Sequence, residues 1–163
     1  MKYKYLLFIL FACYFLSRGI FLLHSPFYND EAIYLRWIQE FIAHPSQNLL
    51  IPISDGKQPL YVWVVSIFLL CIPQPLLAGR IASLFFGSVT MMGLFFLSKK
   101  ITENRRVGIF SIIIYLFFIP SFIYGRTAIY ESLLTCISVW TLYFTFHFFE
   151  NIKMKSAVIL GMF

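Results

Sequence analysis

The stretch Leu76–Leu97, LLAGRIASLFFGSVTMMGLFFL, decides the fold class of this chain of 163 residues. It contains a single charged residue, Arg80, and it has the ~20 residues that a helix needs to cross the hydrocarbon core of a bilayer. The whole sequence is 60% hydrophobic and 12% charged, whereas soluble domains carry about 25% charged residues. The sequence therefore predicts an all-α, polytopic membrane helix bundle and excludes a soluble enzyme.

Other apolar runs define further membrane helices. We predict spans at about 5–23, 76–98, 107–124 and 132–149, and the start of another at 156. We expect Arg18 to reach the headgroups from the end of the first span. The last run is too short to cross before the chain ends, which favours the front part of a longer protein over a surface stub.

Two further segments are predicted to lie at the membrane surface as juxtamembrane helices. Residues 30–43 show apolar positions at helical spacing with polar residues between them. Residues 59–72 are apolar but short for a span, and they have proline at both ends.

The basic residues set the predicted orientation. The formal net charge of +6 reflects Lys and Arg in cytoplasmic loops rather than binding to nucleic acid. If 59–72 does not cross, the N-terminus, the Lys99–Arg106 loop and the Lys153–Lys155 loop all lie on the cytoplasmic side. We therefore expect 59–72 to dip into the outer leaflet of a cell membrane. The loops around Asp30 and Arg126 then share the extracytoplasmic side.

Charged residues near that side are the candidate functional groups. Asp30 and Glu31 fit a solvated helix start, and they also fit a general base or a metal ligand at the lipid–water boundary. Lys57 fits an interfacial anchor or a partner for a phosphate. Arg126 and Glu131 fit interfacial charges or functional groups beside membrane segments. The residues alone leave these alternatives open.

Five motifs taken in order resemble a known family. They are Arg18 near the end of the first span, Tyr28–Tyr34 (YNDEAIY), Lys57–Tyr61 (KQPLY), Arg80–Gly87 (RIASLFFG) and Gly125–Glu131 (GRTAIYE). Together they resemble the dolichyl-phosphate-mannose–protein mannosyltransferase and aminoarabinose transferase group, which are type C glycosyltransferases. The resemblance covers nearly all of this chain but only the N-terminal portion of a family member.

The resemblance implies roles for these residues. Asp30 matches the catalytic base, Lys57 the lysine that contacts the carrier-lipid phosphate, and Glu131 an acid after the third membrane span. We expect Arg80 or Arg126 to assist Lys57 on the phosphate. Gln58 stands where the family often has Pro, and Glu131 where it often has Asp.

The second acid of the pair, Glu31, has a less definite implied role. Together with Glu131 it would position the acceptor or hold a divalent cation. Acids alone do not establish a metal site, so metal dependence stays open.

The implied function is a glycosyltransferase that moves a sugar from a polyprenyl-phosphate carrier to a protein, lipid or glycan on the extracytoplasmic side. We expect this fragment alone to be inactive. The alternative is a non-catalytic lipid-binding or transport subunit, or a truncated remnant, in which the outer charges only anchor helices.

Overall fold

A computed structural model describes residues 2–20, 22–24, 26–150 and 161 of the chain. This part is helical and contains no strand, which confirms the all-α prediction. The helices are α1 (Lys2–Gly19), α2 (Asn29–Ala43), α3 (Pro45–Asn48), α4 (Leu60–Cys71), α5 (Pro75–Thr102), α6 (Arg105–Phe117), α7 (Ile119–Tyr124) and α8 (Glu131–Glu150), with short 3₁₀ helices at Leu22–His24 and Ile51–Asp55. The predicted span start at 156 and the Lys153–Lys155 loop lie outside the described residues.

Three helices of the described part are long and apolar enough to cross a membrane: Tyr3–His24, Pro75–Thr102 and Glu131–Phe149. The central one, α5, packs against α1, α4, α6 and α8. Gly93 lets α8 come close, because a Cβ at this position would lie 2.8 Å from Val139 Cγ1. The three candidate spans thus form one bundle around α5.

The α2 and α4 helices form a layer at the Pro75 end of α5. Buried residues recur on one face of α2 at helical spacing, at Glu31, Tyr34, Leu35 and Ile38. The three apolar residues of this face pack against Tyr61, Val62 and Val65 of α4 in the largest apolar cluster. With 12 residues, α4 is about 18 Å long, less than the thickness of the hydrocarbon core.

The segment 107–124, expected as one span, consists of two helices that meet at Phe118. Pro120 explains the break, because proline has no backbone N–H with which to continue the helical hydrogen bonds to Leu116 O. Arg18 supplies the missing donor: its Nη2 lies 3.1 Å from Leu116 O, 3.4 Å from Tyr115 O and 3.0 Å from Ser121 Oγ.

The expectation that Arg18 reaches the headgroups is therefore wrong. Its side chain is fully buried, and its guanidinium also lies over the Tyr14 ring, 4.5 Å from the ring centroid. The helix break leaves buried carbonyl oxygens without a backbone donor. Arg18 stays inside the bundle because its guanidinium donates hydrogen bonds to them.

We predict that Arg18→Met destabilises the protein by about 1–3 kcal/mol, because Leu116 O loses its donor in an apolar environment. The measurement is unfolding in detergent micelles. Arg36→Met is the matched control, since Arg36 carries the same group with 78% of its side chain exposed. Equal effects of the two substitutions would contradict the role given to Arg18.

Candidate active site

Lys57 lies between two carboxylates at the surface of the α2–α4 layer. Its Nζ is 3.9 Å from Asp30 Oδ1 and 3.9 Å from Asp55 Oδ2. Asp30 stands in the first turn of α2, and Lys57 follows Gly56, whose positive φ of 69° ends the preceding 3₁₀ helix. The Lys57 side chain is 28% exposed, whereas 65% of Asp30 and 56% of Asp55 are exposed. Both acids are open to a ligand from the solvent side.

Lys57, Asp30 and Asp55 form a charged cluster, and Glu131 and Tyr34 lie on its inner side. Glu131, the first residue of α8, lies close enough to Asp30 and Lys57 to interact with both electrostatically. Its Oε2 is buried and has no hydrogen-bond partner within the described residues. The Tyr34 ring lies under the Lys57 ammonium, with Nζ 5.0 Å from the ring centroid. Burial raises the pKa of Tyr34, and the nearby Glu131 carboxylate raises it further, so its hydroxyl stays protonated.

Glu31 points away from this surface and forms a buried ion pair with Arg80. Arg80 Nε donates to Glu31 Oε1 at 2.9 Å, and Nη2 donates to Glu31 Oε2 at 2.8 Å. Both side chains are 0% exposed. This bidentate geometry is the strongest form of an arginine–carboxylate contact.

The pair also satisfies backbone groups that lie outside α2 and α5. Arg80 donates to Leu22 O at 2.6 Å and to Pro26 O at 3.0 Å. Glu31 accepts from Ala128 N at 2.7 Å and, through its other oxygen, from Tyr28 N at 3.1 Å. The pair therefore ties together α2, α5, the connection after α1 and the segment that leads into α8.

These contacts change the expectation for Glu31 and Arg80. Sequence reasoning gave both residues substrate contacts, and it left Glu31 open as a metal ligand. In the structure both Glu31 oxygens accept hydrogen bonds from buried donors, so neither faces a substrate. The geometry makes them positioning residues.

Arg126, the remaining candidate, lies beside the end of α1. Its Nη2 donates to Ile20 O at 3.3 Å, and its guanidinium is 5.2 Å from the centroid of the Phe122 ring. It also lines a hollow of about 130 Å³ together with Pro26 and Tyr28.

Metal ligands do not cluster in the described part of the chain. No group of three or more His, Cys, Asp or Glu side chains is close enough there to hold an ion. A site made by Glu31 and Glu131 is disfavoured, because Glu31 is already bonded to Arg80.

A groove of about 510 Å³ opens between α5, the α6–α7 break and α8. Leu94, Ile114, Phe118 and Val139 supply apolar walls, and Ser132 lines the end nearest to Glu131. This groove is an apolar space that is not lined by Asp30, Lys57 or Glu131.

Comparison with known families decides the class of protein. Residues 55–163 match the family described as dolichyl-phosphate-mannose-protein mannosyltransferase. This chain belongs to that family. No curated protein and no solved structure gives a significant match. The match confirms the resemblance inferred from the motifs and gives the chain the character of a membrane glycosyltransferase.

The family match includes some candidate residues and not others. Lys57, Arg80, Arg126 and Glu131 lie within the matched residues, whereas Asp30 lies before them. The assignment of Asp30 in this mannosyltransferase family member therefore depends on its motif and on its place beside Lys57.

Sequence reasoning missed the part of Tyr34 in this cluster. Tyr34 was counted among the apolar positions of an amphipathic helix. The available signal was spacing, because Tyr34 follows Asp30 by four residues and so lies on the same face of α2.

We predict that substitutions of the two adjacent acids have very different effects on stability. Glu31→Gln leaves the Arg80 charge buried without its counter-charge and should cost about 3–5 kcal/mol in the free energy of unfolding. Asp30→Asn should change it by less than about 0.5 kcal/mol, because Asp30 is exposed. Unfolding in detergent measures both. Equal destabilisation would show that the Glu31–Arg80 pair does not anchor the layer.

Proposed function

We propose that this protein transfers a sugar from a polyprenyl-phosphate carrier to an acceptor on the extracytoplasmic side of the membrane. The observation that carries the proposal is the contact of an exposed carboxylate, Asp30, with a partly buried lysine, Lys57. A base for the acceptor and a cation for the leaving phosphate are the two groups that this reaction needs, and here they are neighbours.

The chemistry uses the two groups on opposite sides of one bond. Asp30 takes the proton from the acceptor hydroxyl or amine, whose oxygen or nitrogen attacks the anomeric carbon of the sugar. The bond between that carbon and the phosphate oxygen breaks, and its electron pair remains on the phosphate. Lys57 stabilises the negative charge that develops on the phosphate. The products are the glycosylated acceptor, the polyprenyl phosphate that carries the electron pair of the broken bond, and Asp30 that carries the proton.

Other charged residues take supporting roles. Glu131 has a buried oxygen that no donor among the described residues reaches, which suits contact with an acceptor hydroxyl. Glu31 and Arg80 hold α2 so that Asp30 faces Lys57. Arg126 is a candidate for a second phosphate contact, from the hollow beside Pro26 and Tyr28.

The ends of α5 support the proposed sidedness. Arg80 lies near its first turn, whereas Lys99 and Lys100 lie in its last turn. A helix rises 1.5 Å per residue, so these ends are about 28 Å apart, close to the thickness of the hydrocarbon core. Because basic loops favour the cytoplasm, the end with Arg80 faces outward.

The groove beside α8 suits the prenyl tail of the carrier. It is apolar, it lies within the bundle, and Ser132 at its end is next to Glu131. The proposal places the tail there, in contact with apolar side chains, with its phosphate at the end of the groove that Ser132 lines.

We predict that Asp30→Asn lowers the transfer rate about 10²–10⁴-fold while the protein stays folded and inserted, because the acceptor loses its base. Transfer from a polyprenyl-phosphate sugar, assayed in the full-length protein, measures the effect. Asp55→Asn is the matched control: it removes the other exposed carboxylate, also at 3.9 Å from Lys57, and should lower the rate far less. Near-normal transfer by Asp30→Asn would refute the role of Asp30.

A second prediction tests the groove. Thr135 lines it, whereas the adjacent Leu134 does not and is 51% exposed. Thr135→Phe should raise KM for a long-chain donor more than for a short-chain, water-soluble analogue, because the added ring fills the tail space. Leu134→Phe should leave both KM values near those of the unsubstituted protein. Equal changes for long and short donors would place the tail elsewhere.

A further inference from the structure

The Lys57 ammonium makes direct contacts with two carboxylates and one aromatic ring, and these contacts differ in character. Two are the carboxylates of Asp30 and Asp55, both at 3.9 Å, longer than a normal charge-assisted hydrogen bond. The third is the Tyr34 ring, whose centroid is 5.0 Å from Nζ. A cation within about 6 Å of an aromatic face is attracted by the ring quadrupole.

Tyr34 is the rigid partner among the three. It is 1% exposed, and its ring makes edge contacts with Trp37 and Tyr61, at centroid distances of 5.4 and 5.2 Å. The two carboxylates are more than half exposed, and pairs of that kind contribute little to holding a side chain in place. The ring is therefore the contact of the ammonium that is held in a fixed place by its surroundings.

The chain is arranged so that helix packing brings Lys57 over this ring. Tyr61 follows Lys57 by four residues, in the first turn of α4, and it packs directly on Tyr34. The Lys57 N–H donates to Pro52 O at 3.0 Å, which closes the loop before α4. When α4 docks on α2, the Lys57 side chain is placed above the Tyr34 face.

We propose that Tyr34 is a positioning residue whose ring face holds the Lys57 ammonium beside Asp30, ready for the leaving phosphate. The inference rests on the proposed function of Lys57. The ring carries this role and the hydroxyl does not, because Tyr34 Oη is buried without a hydrogen-bond partner in the described part of the chain.

The test compares two substitutions of Tyr34 in the purified full-length protein. Tyr34→Leu removes the aromatic face and should raise KM for the polyprenyl-phosphate donor several-fold to about tenfold, with KM for the acceptor little changed. Tyr34→Phe keeps the face and should keep the donor KM within about twofold. A Phe variant as impaired as the Leu variant would overturn the proposal, because the hydroxyl would then be the required group.

Loss of packing needs its own control. Ile38 lies one turn further along the same buried face of α2 and is 1% exposed. Ile38→Ala should destabilise the protein without changing the donor KM. If Ile38→Ala and Tyr34→Leu raise the donor KM in the same proportion to the stability that each loses, a specific role for the ring is overturned.

Two further measurements show whether Tyr34 acts through Lys57. In the Lys57→Ala background, Tyr34→Leu should cause no additional rise in donor KM; a full additional rise would overturn the proposal. In the unsubstituted background, labelling of the Lys57 amine by an amine-reactive reagent, read by mass spectrometry, should be faster in Tyr34→Leu and unchanged in Tyr34→Phe.

The labelling experiment distinguishes failure of the Tyr34–Lys57 contact from failure of the proposed function of Lys57. Unchanged labelling in Tyr34→Leu would overturn the ring contact while the role of Lys57 stands. If Lys57→Ala itself leaves the donor KM unchanged, the proposed function of Lys57 fails, and the positioning role fails with it.

Discussion

The buried ion pair between Glu31 and Arg80 is the constraint on which the candidate site depends. Two charges removed from water are costly unless each is fully hydrogen-bonded. This pair meets that condition with backbone groups of the connection after α1 and of the segment that leads into α8. Because these partners belong to different parts of the chain, the pair fixes α2 relative to α5 and to the start of α8. No other contact in the described residues of this layer joins so many segments through buried charge.

The adjacent acids Asp30 and Glu31 lie in different environments because Glu31 is paired with Arg80. In a helix, neighbouring side chains point about 100° apart, so when Glu31 faces the bundle Asp30 faces outward. Glu31 is fully buried, whereas Asp30 is exposed and reaches Lys57. An Asp-Glu dipeptide at a helix start thus combines a buried anchor and an exposed carboxylate.

Sequence reasoning predicted the fold class and the family, because apolar runs and motif order are local properties of a chain. It did not predict the helix break at Phe118, where Pro120 and the buried Arg18 act together. Arg18 was expected at the surface because a lone cation near a helix end usually reaches water. Its partners are carbonyl oxygens about a hundred residues away, and a reading of the first span cannot reveal them.

The candidate site shows the same limit. Asp30, Lys57 and Glu131 were selected from spacing and resemblance, and the structure brings them together. Glu31 and Arg80 were given substrate contacts because charged residues near membrane segments are functional candidates, and their mutual burial could not be seen in the sequence. Tyr34 was counted as part of an apolar face, although its ring contacts Lys57. Each difference comes from a contact between residues far apart in the chain.

The most direct test is a structure of the protein with a non-cleavable polyprenyl-phosphate sugar analogue. We predict that the phosphate contacts Lys57, that the sugar lies between Lys57 and Asp30, and that Glu31 and Arg80 remain paired. A phosphate bound by Arg80, with the Glu31–Arg80 pair separated, would contradict it.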